Sequence, residues 1–129
     1  MANNSPYRTQ DDLINEALAN LGVLSPGQPV DVEDYNYVLD KCDSVYRKLG
    51  ALEIVHVPDP NHIPGSWFSD LADILAGEVA TKFGSNPDHY MMLIQRGLGV
   101  PPGAGAAALS LKQMTRGRPT YEPLQTDYF

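Results

Sequence analysis

The chain has 129 residues and carries nine Lys/Arg against sixteen Asp/Glu, a formal charge of −7. The length fits one domain with an extended tail, and a chain of this size buries a real but small core. The acidic balance argues against a protein that grips nucleic acid, which would show a basic face, and the lone Cys42 excludes an internal disulfide. No apolar run approaches the roughly 18–20 residues of a membrane span. The N-terminus, MANNSPYRTQ, has no signal-peptide apolar region. The chain is therefore expected to be soluble, made in the cytoplasm and without a membrane partner.

Residues 1–8 read as a flexible N-terminal arm. Thr9 then caps a helix, with Asp12 three residues on completing a T-x-x-D signature. Asp11 and Asp12 suit the positive end of the helix dipole. Leu13, Ile14, Ala17, Leu18 and Leu21 form an apolar stripe that Gly22 ends, which predicts a helix over 9–22. Residues 23–30, VLSPGQPV, are a turn segment. Asp31 is the expected cap of a second helix over 31–50, with Asp34 as its reciprocal partner. Tyr35, Val38, Leu39, Cys42, Val45, Tyr46 and Leu49 follow at helical spacing, and the helix is expected to end near Gly50. Residues 52–58, LEIVHVP, suggest a short strand or an extended connector.

The longest apolar-periodic stretch is IPGSWFSDLADILAGEVATKFG, from Ile63 to Gly84. Trp67, Phe68, Leu71, Ile74, Leu75, Val79 and Phe83 recur at spacings of three and four. Pro64 suits a first helical turn, and Gly84 a C-terminal stop. This predicts a central helix over 64–84, and a core that includes Leu18, Leu39, Trp67, Phe68, Leu71 and Leu75. Asn86-Pro87 opens a fourth helix over 87–97, with Tyr90, Met91, Leu93, Ile94 and Leu98 as its apolar set. Gly97, Gly99, Pro101, Pro102, Gly103 and Gly105 are expected to make a flexible break. Residues 106–116, AAALSLKQMTR, suit a helix but could be extended. GRPTYEPLQTDYF has two prolines and no period, and reads as an arm. The expected fold is all-α: a small helical bundle of about four helices over 9–99, with an extended C-terminal docking tail over 100–129.

Catalytic signatures are missing. His56, His62 and His89 are isolated and read as loop and surface residues, with no metal-ligand spacing. Cys42 lies on an apolar helix face and reads as a core residue. Ser25 and Ser66 lack a nucleophile elbow. GVPPGAGAAAL is not followed by Lys-Ser/Thr, so a phosphate loop is not expected. The acidic pairs Asp11–Asp12 and Glu33–Asp34 read as helix starts. No enzyme, cofactor or metal is expected. The tail differs from a solvated linker: Arg116, Arg118, Tyr121, Tyr128 and Phe129 are residue types enriched as interface anchors. Charge divides with it. Residues 1–99 hold six Lys/Arg and fourteen Asp/Glu, a balance of −8, while residues 100–129 stand at +1.

Taken together, DDLINEALANLGV, DVEDYNYVLDKCDSVYRKL, IPGSWFSDLADILAGEVATKFG and LKQMTRGRPTYEPL resemble the small head-to-tail connector, or adaptor, proteins of tailed bacteriophages. The likeness is to the tail accessory factors of short-tailed phages, which bind below the portal and close the DNA-filled head. It covers nearly the whole chain as an overall pattern. It implies a structural virion protein at the head–tail interface: a ring, expected at twelve copies, that docks on the portal protein, offers a platform for tail or nozzle proteins, and lets DNA pass without specific binding. The resemblance places Met114, Arg116, Arg118, Tyr121 and Leu124 in the docking segment. Tyr128 and Phe129 join them as apolar anchors. The alternative is a small cytoplasmic helical interaction module, or regulator, that binds a partner through its C-terminal tail. A wall-degrading enzyme would need two opposed carboxylates, and the sequence marks no such pair.

Overall fold

The computed structural model describes residues 7–23, 27, 29–83 and 86–116. Among these are two short strands and five helices: β1 (Tyr7–Arg8), α1 (Gln10–Leu21), α2 (Val32–Ala51), β2 (Ile63–Pro64), α3 (Gly65–Phe83), α4 (Pro87–Arg96) and α5 (Ala106–Arg116). The fold is a small all-α bundle, with five helices where the periodicity alone predicts about four.

Helix α1 begins as its sequence requires. The Thr9 side chain accepts from the Asp12 N–H, and the Asp12 carboxylate accepts from the Thr9 N–H, a complete capping box. It ends at Gly22, which is left-handed at φ 83°. There the Gly22 N–H reaches Ala19 O and the Val23 N–H reaches Leu18 O, so two last-turn carbonyls are satisfied. In α2 the cap is Asp31, but its carboxylate accepts from the Glu33 N–H and not from the expected Asp34. The helix closes in the same way as α1: Glu53 N–H to Gly50 O and Ile54 N–H to Leu49 O. Here the left-handed position is taken by Glu53, at φ 59°.

Residues 52–62 form an irregular connector without a strand. Ile54 and Val55 turn inward and are buried. Tyr7 and Arg8, expected as part of a loose arm, pair antiparallel with Pro64 and Ile63. Pro64 thus precedes α3 and does not occupy its first turn. Arg8 lies over the Phe68 ring at 4.6 Å, and Tyr7 stacks on His62 at 3.9 Å, so side-chain stacking fastens this short ladder. The expected stop at Gly84 lies outside the described residues.

Helix α3 is central: it packs on α1, α2, α4, α5 and both strands. Its inward side carries Leu71, Ile74, Leu75 and Val79 beside Ala72, Ala76, Gly77 and Ala80, all buried. Each large apolar side chain contributes about 1.5–3 kcal/mol on burial. The small residues let a neighbour approach: a Cβ on Gly77 would stand 2.9 Å from Leu93 O in α4. Of the expected core, Leu18, Leu71 and Leu75 are fully inside and Phe68 is buried. Leu39 and Trp67 are corrected to the rim, where they pack on the core while only partly covered. Trp67 sits in the first turn of α3, where the bundle opens. Met91, assigned by spacing to the apolar side of α4, faces outward at 42% exposure, since Leu93 alone is fully inside there.

The stretch after α4 departs most from expectation. Residues 97–105 are a packed crossing and not a flexible break. Gly99 N–H bonds Ile94 O, the Gly103 and Gly105 N–H groups share Leu98 O, and Ala108 N–H bonds Gly97 O. A Cβ on Gly97 would lie 2.6 Å from Asp73 O on α3. The Val100–Pro101 peptide is cis. Beyond it, Ala107, Ala108 and Leu111 are buried against α3 and α4. The helical body therefore runs to Arg116, and residues 100–116 are not an extended tail. The reason is tertiary: α5 carries a narrow stripe whose main partner is α3, far away in sequence.

Candidate docking surface

The residues singled out for docking divide at the end of α5. Met114 is not on a free arm: it is partly buried and packs on the core. Arg116 is the last residue of α5. Arg118, Tyr121, Leu124, Tyr128 and Phe129 lie outside the described residues.

The root of the tail is fixed. The Thr115 hydroxyl lies 3.1 Å from Ile54 O in the connector and 3.0 Å from Leu111 O one turn back. Met114 and Thr115 line a cavity of about 360 Å³ with Pro64, Ser66 and Trp67. On the other side, Thr115 borders a second hollow of about 310 Å³ with Gly50, Glu53, Ile54, Val55 and His56. A third, of about 440 Å³, is floored by Tyr46, Ala51, Val57, Pro58 and Pro60 and edged by Asp43 and Arg47. Gly50 and His56 line both of the last two hollows, so two adjoining recesses border the connector. Spacing does not reveal these residues, because α5, the connector and the start of α3 meet only in the fold.

Electrostatics distinguish the interior from this surface. Burial pushes the Cys42 thiol up to about 11, against a smaller lowering by its hydrogen bond with Tyr46. Such a thiol holds little thiolate at neutral pH. Burial also raises Tyr46, with Cys42 adding to the rise, and its hydroxyl donates to Gln10 Oε1 at 3.1 Å. Tyr35 is pushed up to about 12, first by its 2.8 Å hydrogen bond to Asp11 and then by burial. Asp73 is raised by desolvation, opposed by Arg96 and reinforced by Asp70 and Glu16.

A second cluster lies at the far end of α2 and α3. Lys41 and Lys82 both stand over the ring of Tyr37, at 5.4 and 5.2 Å from its centroid. The edge of Phe83 meets that ring at 5.8 Å and 83°. His56, His62 and His89 are all exposed and do not come together. Among the described residues, no group of His, Cys, Asp and Glu is placed to hold a metal ion, and no helix is long and apolar enough to cross a membrane. The arrangement offers recesses, anchors and charge, which are means of holding a partner. No family model, no curated protein and no solved structure matches this chain.

Proposed function

We propose that the chain is a head-to-tail connector of a tailed phage: a subunit of a ring, expected at twelve copies, that docks below the portal, continues the DNA channel and carries the tail. Its partners on this reading are the portal protein, its own copies, and tail or nozzle proteins. It works at the head–tail interface of the virion, without cofactor or catalysis. The reading draws on the resemblance of its segments to that family, and an all-helical body agrees with it. A subunit with a small core gains stability from neighbours in a ring closed by heterologous contacts. An acidic body suits a channel wall that must not hold DNA.

The observation that carries the reading is the fixed root of the tail. Thr115 and Met114 are tied into the body, while the thirteen residues after Arg116 hold Arg118, Tyr121, Leu124, Tyr128 and Phe129. Pro119 and Pro123 forbid a continuous helix there. Ordering an arm costs about 1–2 kcal/mol per residue in backbone entropy, so its dock must be extensive, and several arms on one ring add avidity.

The test is a chain ending at Arg116, which keeps α5 whole; a cut at Leu111 would remove the Thr115 bond to Ile54 O. In negative-stain images the full chain should form rings on purified portal. The shortened chain should keep its helical circular dichroism and fail to join. Undiminished joining by the shortened chain would move the docking surface to the body. A full chain that stays monomeric and ignores portal, yet binds a cytoplasmic partner through its tail, would favour the regulator.

A further inference from the structure

Two like charges gathered over one ring need a reason. Lys41 and Lys82 approach Tyr37 from two helices, although the chain as a whole is at −7. Two carboxylates close to these lysines in sequence are engaged elsewhere, while the exposed Asp40 directly precedes Lys41 on α2. Glu78, one turn before Lys82, is held by Lys48 at 2.7 Å, and Asp43 by Arg47 at 3.1 Å. Among the described residues neither Lys41 nor Lys82 forms an ion pair. Both are exposed, while Tyr37 and Phe83 beneath them are half-buried. The result is a positive spot with an aromatic floor. Such a surface suits a segment in which carboxylates neighbour aromatic rings.

The chain contains that segment. After Arg118, Tyr121-Glu122 and Asp127-Tyr128 each set a carboxylate beside a tyrosine, and residues 119–129 carry two acidic groups and no basic one. We propose that residues 121–128 of one copy dock on the Tyr37–Lys41–Lys82–Phe83 platform of a second copy, with Glu122 and Asp127 meeting the two ammonium groups. This rests on the tail-mediated assembly proposed above and names its receiving surface.

Geometry favours a second copy. The tail begins beside Trp67, at the first turn of α3, and the platform is at its last turn. Phe83 lies sixteen positions beyond Trp67, about 24 Å along the helix. From Arg116 to Glu122 the extended chain spans at most about 21 Å. Within one subunit the tail would have to be drawn almost straight to bring Glu122 to the platform, whereas a neighbouring copy can receive a relaxed tail. A donor at one end and an acceptor at the other form a heterologous contact, which repeats in one direction and closes into a ring where its rotation permits.

The test uses the full chain, the K41E/K82E variant and the E122K/D127K variant, each checked for an unchanged thermal melt. A fluorescent peptide of residues 117–129 is the probe. It should bind the wild-type chain, lose affinity as salt rises, and bind K41E/K82E roughly tenfold or more weakly. In sedimentation each variant alone should self-associate less than wild type. An equimolar mixture of the two should regain association, because the basic tail of one then meets the acidic platform of the other. Equal peptide affinity for wild type and K41E/K82E, or no binding to either, overturns the proposal. Recruitment to portal is scored separately: peptide binding that survives when wild type ignores portal sinks the adaptor reading and leaves the platform standing. Normal portal rings from K41E/K82E sink the platform and leave the adaptor.

Discussion

Residues 52–62 and 97–105 both join two helices, and both are built from residues that end helices. They solve the problem in opposite ways. The first contains no glycine, places Glu53 in a left-handed conformation, and leaves hollows of about 310 and 440 Å³ along its flank. The second has four glycines, and three of them lie against other backbone: Gly97 against Asp73 O, and Gly99 against Gly105. At those three positions glycine marks close packing and not a loose part. A missing side chain is a freedom only where nothing fills the space, and at the α4–α5 crossing the space is filled by another backbone.

The largest expected effect breaks the tight side of this pair. Gly97→Ala drives a methyl group toward Asp73 O, so the backbones must part, at a cost of about 1–3 kcal/mol. The denaturant midpoint should fall accordingly, and a midpoint equal to wild type would show that α4 and α3 are not in such close contact. The open side should respond in the other direction. A left-handed L-residue costs roughly 1–2 kcal/mol, and glycine gives back part of that as chain entropy. Glu53→Gly should therefore stabilise the fold by about 0.5–1 kcal/mol, read as a rise in the melting temperature. A fall would mean that the Glu53 side chain contributes more than its backbone loses.

The smallest effect sits at the edge of the tight crossing and depends on pH. Asp73 is raised by desolvation despite Arg96, so its charged form is disfavoured in the fold. Its penalty is absent below the unfolded value of 3.8, grows as pH rises through the raised folded value, and is complete at neutral pH. Asp73→Asn can still accept from Asn20 Nδ2, which now lies 3.3 Å from Asp73 Oδ1. The variant should melt slightly higher than wild type at pH 7, and the gain should vanish in acid. A gain that persists unchanged at pH 3 would assign it to packing and not to charge.

Much of the bundle was legible because it depends on near neighbours. Thr9 and Asp12 form their box within four residues, and the stripes of α1, α2 and α3 repeat every three or four positions. The boundary between body and tail was not legible, and the reason is physical. Ala107, Ala108 and Leu111 are too few to signal a core helix, and their main partner, α3, is far away in sequence. Trp67 and Leu39 fit their stripes in spacing, yet lie where the bundle runs out of neighbours. Glu53 gave no signal, since the left-handed position ending α2 is normally announced by glycine. Of the proposed docking site, the aromatic and arginine residues of the tail stood out by composition. Lys41 one turn after Tyr37 was within reach of a spacing argument, but its convergence with Lys82 exists only once α2 lies along α3.

The burial of Cys42 has a practical consequence for following the tail by spectroscopy. The chain has one cysteine, 1% exposed and with its thiol raised to about 11, so maleimide dyes will pass it by in the folded protein. A cysteine substituted for the exposed Gln113, on the last turn of α5, would then be the sole site of labelling. A fluorophore there sits beside the tail root, and energy transfer to a second labelled copy would report directly on the proposed association between copies.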